Sequence, residues 1–281
     1  MAPGMNSVSL LGVRIDNVDV AQTRALFRDW LGDKAAAMTH LVCTPNPEFL
    51  LAAQHDASFK ELLNGLDLNL PDGVGLRFAS AALTEQTLRN RVPGVQALLL
   101  LAELCVESQQ RLLLLGEQGA NERAAAELRL QWPGLDVVVL DPGVIAEAGD
   151  LPPNVIDEMR GLQAQVIAVG LGQGKQERCI FGLHSMYTLN VDHLSTVRVM
   201  IGVGGAAAMI GKTLPRAPRL LQRIGLEWVW RLAIEPRRWR RIWRATVVFP
   251  LMVILLTLRE HRFWRAVRRT LPEIFLQLIG R

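Results

Sequence analysis

Short apolar runs alternate with amphipathic stretches along the first three quarters of the chain. SLLGVRI (9–15) reads as a strand, and DVAQTRALFRDWL (19–31) as a helix with an acidic first turn. HLVCT (40–44) is a buried strand ending at a proline turn. The helical stretch FLLAAQHDASFKELLNGL (49–66) and a short strand, DLNL (67–70), follow it. Residues 111–143 give strand, glycine turn, helix and second strand, the ~30 residues of a βαβ unit. QVIAVGLGQGKQE (165–177) and VRVMIGVGGAAAMIG (197–211) repeat the strand-to-glycine turn. This alternation predicts an α/β fold, a mostly parallel sheet with helices on both faces. Ligands in such sheets bind beyond the carboxyl ends of the strands.

After about Gly211 the β pattern stops and the remainder reads as helices. We therefore expect two parts: residues 1–211 as the α/β core and 212–281 as a C-terminal helical appendage. Charge divides at the same place. The first part holds 23 Asp+Glu against 15 Lys+Arg, a balance of −8. The second holds 4 against 16, a balance of +12. Five of the seven tryptophans (Trp228, Trp230, Trp239, Trp243 and Trp264) also lie in the second part. An acidic body with a basic, Trp-rich tail points to a polyanionic surface as partner.

The tail narrows that choice. Trp239 and Trp243 share a helical face among Arg237, Arg238, Arg240, Arg241 and Arg244. ATVVFPLMVILLTL (245–258) then runs uncharged for about 14 residues, short of the ~20 that a spanning helix needs, and Pro250 interrupts it. Basic flanks, interfacial tryptophans and a short apolar centre read as a monotopic anchor on an anionic membrane surface. Each Lys or Arg near such a leaflet contributes about 1 kcal/mol. A nucleic-acid-binding arm fits the charge but not the uncharged run. A helical bundle packed on the core is the bland alternative. Cys43, Cys105 and Cys179 have no CxxC spacing, which fits buried, reduced thiols in a cytoplasmic protein. The N-terminus lacks the basic and apolar regions of a signal peptide, so the body is expected not to be secreted.

Taken singly, the glycine turns are weak signals. GLGQGKQ (170–176) departs from a phosphate loop in glycine spacing and in Gln176, where a hydroxyl residue belongs. GVGGAA (202–207) fits GxGxxA after a strand, and Asp192 lies roughly twenty residues beyond Gly170, so a dinucleotide-binding reading is open. A glycine in either turn can equally serve close helix–strand packing.

The ordered set is more specific. TPNPEFLLAAQ (44–54), LPDGVGL (70–76), RVPG (91–94), LLLLGEQ (112–118), VGLGQGKQE (169–177), IGVGGA (201–206), RAP (216–218) and GLEWVWRLAIEPRRWRR (225–241) resemble the WecG/TagA/CpsF family of bacterial glycosyltransferases, from about Val8 to Arg244. The resemblance implies a Rossmann-like core with a C-terminal appendage. It also implies inverting transfer of a sugar from a UDP-sugar donor to a lipid-pyrophosphate-linked sugar on the cytoplasmic membrane face. It implies no metal and no cofactor.

On that resemblance Asp72 is the general base, at a strand end in a Pro-Asp-Gly turn. An ordinary Asp, pKa ~3.9, is a weak base, yet serves when the attacking hydroxyl acidifies as the bond forms. Asp72 can otherwise simply cap its turn. Thr44 and Asn46 match positions lining the site, to bond sugar hydroxyls or orient Asp72; Asn46 can instead stabilise its own turn. Arg91 is expected to meet the departing diphosphate. Gly170, Gly172, Gln176, Gly204 and Gly205 would form the nucleotide-facing turns, aided by a helix N-terminus near Gln176. Arg216, Arg237, Arg238 and Arg241 would close over the diphosphate.

Two departures stand out. The family usually has Pro where Gly174 stands, and commonly Phe-Asp where this chain has Ala207-Ala208. They leave donor identity open. No carboxylate pair is spaced to carry Mg²⁺, and five scattered histidines give no ligand spacing. The sequence thus points to a glycosyltransferase of surface polysaccharide assembly, peripheral on the inner membrane, with no nucleic acid partner and a homo-oligomer allowed. A nucleotide-dependent oxidoreductase using GVGGAA and an inactive membrane-bound scaffold are the alternatives.

Overall fold

The computed structural model describes residues 6–32, 38–189, 196–212, 218, 221, 227–234, 236 and 239–278. Six parallel strands form one sheet in the order β4-β3-β8-β7-β5-β6. They are β3 (His40–Cys43), β4 (Leu68–Asn69), β5 (Leu112–Gly116), β6 (Val137–Leu140), β7 (Val166–Gly170) and β8 (Val199–Gly202). Both faces are apolar, which is why these strands read as continuous hydrophobic runs. Cys43, Leu113, Leu115, Ile167, Val169 and Met200 face one layer of helices. Val42, Leu112, Leu114, Val166, Val199 and Ile201 face the other.

The stretch expected as one N-terminal strand is a hairpin. β1 (Ser7–Leu10) pairs antiparallel with β2 (Val13–Asp16), apart from the main sheet. Leu11 (φ 55°) and Gly12 (φ 80°) both take positive φ, the geometry of a tight two-residue hairpin turn. The helix α1 (Val20–Gly32) starts just after Asp19, whose Oδ1 accepts from Gln22 N at 2.7 Å while Gln22 Oε1 accepts from Asp19 N at 2.9 Å. The helical stretch 49–66 is likewise two helices, α2 (Pro47–His55) and α3 (Ala57–Gly65). Asp56 ends the first and caps the second by accepting from Phe59 N.

The remaining core helices are α4 (Val74–Leu83), α5 (Gly94–Ser108), α6 (Gln118–Gln131), α7 (Pro153–Leu162), α8 (Lys175–Leu189) and α9 (Ala206–Ile210). Chain leaving β3 and β7 enters helices on one face, through α2 and α8. Chain leaving β5 and β8 enters helices on the other, through α6 and α9. A crevice therefore opens between β3, β8 and β7 at their carboxyl ends.

The appendage is helical where described: Glu227–Ile234, a long helix Trp239–Arg259, and Phe263–Leu278. The long helix does not stop at Pro250, contrary to the expectation from sequence. A π-helical turn, Arg244–Val248, widens the backbone before the proline, which lacks an N–H and crowds the carbonyl four residues earlier. At 21 residues, with a mean hydropathy of 1.7 over its most apolar window, this helix is long and apolar enough to cross a membrane by length and composition alone. One edge of it is nevertheless core. Phe249 (1% exposed) and Val253 join the cluster under α2 and α4, with the Phe249 ring edge against Gly75. The last helix lies on α4, tied by Arg77–Glu273 and by Arg265 and Arg269 to Glu85.

Candidate active site

Three proline-bearing loops meet at the crevice and are stitched by backbone hydrogen bonds. Asp72 N donates to Pro45 O at 2.9 Å, and Val92 N donates to Pro71 O at 2.9 Å. TPNP, LPDG and RVPG, far apart in sequence, thereby form one rim. Along this rim opens a cavity of about 1130 Å³. Thr44, Asn46, Asp72, Arg91, Gly170, Gly172, Gln176, Gly204, Gly205 and Arg241 all line it, so ten of the expected residues converge. Arg216, Arg237 and Arg238 lie outside the described residues, as does Asp192.

Asp72 and Arg91 face each other across the rim, Oδ1 to Nε 3.6 Å, and both are partly open to solvent. Thr44 is buried, its hydroxyl 3.3 Å from Gly202 O at the end of the neighbouring strand. Asn46 spends its side-chain oxygen on the N-terminus of α2, accepting from Glu48 N (2.9 Å) and Phe49 N (3.4 Å). Its structural duty is therefore real, and the amide nitrogen is what remains to meet a ligand.

The N-terminal ends of α2, α4, α5 and α8 all border the cavity, through Pro47, Gly73, Gly94 and Gln176. Helix N-termini carry partial positive charge and N–H donors that intrahelical bonds do not use. Together with Arg91 and Arg241 they make the cavity suited to an anion such as a diphosphate.

Three carboxylates line the described part of the cavity, Glu48, Asp72 and Glu127. Each has a cation beside it: Arg241 Nη2 lies 3.1 Å from Glu48, Arg91 faces Asp72, and Lys212 Nζ lies 2.7 Å from Glu127. Arg241 also donates to Gln173 Oε1 at 3.3 Å, so the appendage bridges α2 and the turn after β7. Trp230, Ile234, Ile242, Ala245 and Thr246 extend the wall, making the appendage a side of the cavity.

The GVGG turn packs against its own protein. A Cβ on Gly202 would stand 2.8 Å from Gln176 Nε2, so this glycine makes room for a side chain rather than for a pyrophosphate. Gly174, at the position of the family's proline, has φ +86° and donates its N–H to Glu177 Oε2 at 2.7 Å. Proline could do neither. Glu48, Gln173 and Glu177 were not singled out from sequence. Glu48 and Glu177 had a faint signal, an acid in the first turn of a helix, and Gln173 had none.

The three cysteines are buried and unbridged. Burial pushes the thiols of Cys105 and Cys179 up to about 12 and raises that of Cys43 well above its ordinary value.

Comparison with known proteins agrees with the resemblance in the sequence. The profile of the glycosyl transferase WecG/TagA/CpsF family matches residues 8–263. The chain is 26% identical over 203 residues to N-acetylglucosaminyldiphosphoundecaprenol N-acetyl-beta-D-mannosaminyltransferase of Bacillus subtilis (strain 168), covering 72% of this chain and 74% of that protein. It is 26% identical over 238 residues to the Staphylococcus aureus (strain MRSA252) protein of the same name, covering 84% and 87%. A third relative of that name, from Bacillus spizizenii (strain ATCC 23059 / NRRL B-14472 / W23), is 27% identical over 72% of this chain and 74% of its own.

Proposed function

The chain belongs to the WecG/TagA/CpsF family of glycosyltransferases, and from that premise we propose an inverting, metal-independent transfer of an N-acetylmannosamine-type sugar from UDP to N-acetylglucosaminyl-diphospho-undecaprenol. The relatives' names supply the acceptor and the transferred sugar. The UDP carrier is what the resemblance implies. The observation that carries the reading is Asp72 at the rim of a cavity bordered by four helix N-termini and two arginines.

In this mechanism the acceptor hydroxyl oxygen attacks the anomeric carbon while Asp72 takes its proton. The bond from that carbon to the UDP oxygen breaks on the opposite face. Arg91, Arg241 and the N-terminus of α5, which no side chain caps, meet the charge that develops on the diphosphate, the largest single source of help in reactions of this kind. Arg91, beside Asp72, would tie base and leaving group into one geometry. The pairing of Glu48, Asp72 and Glu127 with cations leaves the diphosphate to arginines rather than to a carboxylate-held divalent ion.

The appendage is proposed to hold the enzyme on the cytoplasmic face of the membrane. Phe249, Val253 and Thr257 are its inward stripe along the long helix. Trp243, Val247, Leu251, Ile254, Leu255 and Leu258 form an exposed stripe on the opposite side. A helix packed on protein along one edge and apolar along the other suits lying in the interface, with Arg240, Arg244, Arg259 and Arg262 at its ends. Trp264, Leu271 and Phe275 of the last helix are exposed as well.

The test is UDP release from a panel of UDP-sugars with and without the lipid-linked acceptor. Release that requires the acceptor and yields a disaccharide lipid supports the proposal. No release with any UDP-sugar, or nicotinamide binding in the same cavity, contradicts it.

A further inference from the structure

The turns after β7 and β8 are joined by a hydrogen-bond relay that the mechanism above leaves unused. Gly204 N donates to Gln176 Oε1 at 2.9 Å. Gln176 Nε2 donates to Glu177 Oε1 at 2.6 Å, and Gly174 N donates to Glu177 Oε2 at 2.7 Å. A backbone N–H can only donate, so both ends of the relay have fixed direction. Gln176 must turn its oxygen to Gly204 and its nitrogen to Glu177, and Glu177 must accept at both oxygens. An ionised carboxylate accepts strongly at both; protonation weakens one of the two bonds, and an amide places a donor against a donor.

The relay is sealed from water, with Gln176 at 2% and Glu177 at 0% exposure. Gly202 leaves room for it, since a Cβ there would meet Gln176 Nε2 at 2.8 Å and Glu177 Oε1 at 2.9 Å. An acid that only closed the N-terminus of α8 would need one oxygen and could sit in solvent. Here the second oxygen is committed to Gln176, and through it to the other turn.

We propose that Glu177 is a positioning residue whose carboxylate, through Gln176, locks the Gly170–Gly174 and Gly202–Gly205 turns into one rigid wall for the diphosphate of the sugar donor. The proposal rests on the reading that this cavity binds a UDP-sugar.

The arrangement has a cost that makes it testable. Burial raises the Glu177 carboxyl to about 7, against the relief given by the bonds from Gln176 and Gly174 and by Arg178. Of the groups facing it, Arg178 on α8 is paired with Asp56 at 2.7 Å, and the thiols of Cys179 on α8 and Cys43 on β3 are pushed far above this range. The folded carboxyl titrates above its unfolded value. Its contribution to stability is therefore greatest below the unfolded value and is lost as pH rises through about 7. The assembled relay exists above that pH. Activity should rise where stability falls, the opposite of what a purely structural cap produces.

The experiment measures donor kinetics, UDP binding by calorimetry and Tm from pH 5.5 to 8.5 in the full-length wild type, Glu177→Gln and Glu177→Asp. For the wild type we expect kcat/KM to rise with an inflection near pH 7, while its Tm falls relative to Glu177→Gln up to about pH 7 and then levels. Glu177→Gln should raise the donor KM by ~10-fold or more, the scale of a lost bond to a charged group, and lose the inflection. Glu177→Asp should keep the inflection. Wild-type kinetics and pH profile in Glu177→Gln overturn the proposal. If Glu177→Gln does not fold, the wild type decides: a rate that rises while Tm falls supports the relay, and a flat or parallel profile overturns it. Absence of UDP binding by the wild type defeats the donor reading and the proposal with it. Equal UDP binding and kinetics in wild type and Glu177→Gln defeat the proposal alone.

Discussion

Arg91 Nε lies 3.6 Å from Asp72 Oδ1, joining two loops that are 19 positions apart in the chain. Both side chains keep about a third of their surface in solvent, so the pair adds less than about 1 kcal/mol to folding. The proposed mechanism gives it a role in the site instead. Arg91→Ala should leave thermal unfolding nearly unchanged while kcat/KM falls by ~10² or more, the scale of one lost electrostatic donor. Arg91→Lys should recover only part, because an ammonium cannot bond two oxygens in a plane. Wild-type turnover in Arg91→Ala would remove it from the mechanism.

Phe249 belongs to the appendage by sequence and to the core by packing. Phe249→Ala should cost ~3–5 kcal/mol in a denaturant titration, as for other fully buried aromatics. Ending the chain at Gly211 strips the same contacts from α4, which begins two residues after Asp72. That truncation should therefore unfold at lower denaturant than the full chain. A truncated core as stable as the intact protein would show that the appendage only rests on it.

The sheet was legible because its strands are buried on both faces and so read as unbroken apolar runs, as in LLLL (112–115) and VIAV (166–169). The hairpin at Leu11-Gly12 and the break at Asp56 were not, since each depends on one or two residues inside a continuous pattern. Asp72, Thr44 and Arg91 were picked out by motif, and the structure shows that backbone bonds between the proline loops bring them to one rim. Glu177 escaped because its importance lies in burial, and an acid near a helix start is ordinary in sequence. The passage of the long helix through Pro250 escaped because the π-helical turn has no local signature.

Turnover should persist in excess EDTA, since Arg91, Arg241 and helix N-termini face the cavity and its described carboxylates are paired. Loss of activity with chelator, restored by Mg²⁺ or Mn²⁺, would contradict this.

Binding to vesicles should need anionic lipid and weaken with salt, because surface charges are screened within ~10 Å at 0.1 M. Replacing Leu251, Leu255 and Leu258 together by Ser should cut vesicle co-sedimentation while leaving turnover on a short-chain, water-soluble acceptor near wild type. These side chains face away from the core and contribute little to its stability. Unchanged sedimentation would show that this stripe does not meet the membrane.

The most direct test of the account is turnover by purified Asp72→Asn with UDP-sugar and lipid-linked acceptor, alongside calorimetric UDP binding. The change keeps the shape of the turn, whose backbone bond to Pro45 does not involve the side chain. It removes the carboxylate that the proposed mechanism uses to take the hydroxyl proton. The predicted result is unchanged UDP affinity with turnover reduced by ~10²–10⁴-fold, the range of a lost general base. Turnover within a few-fold of wild type, with UDP still bound, would contradict it.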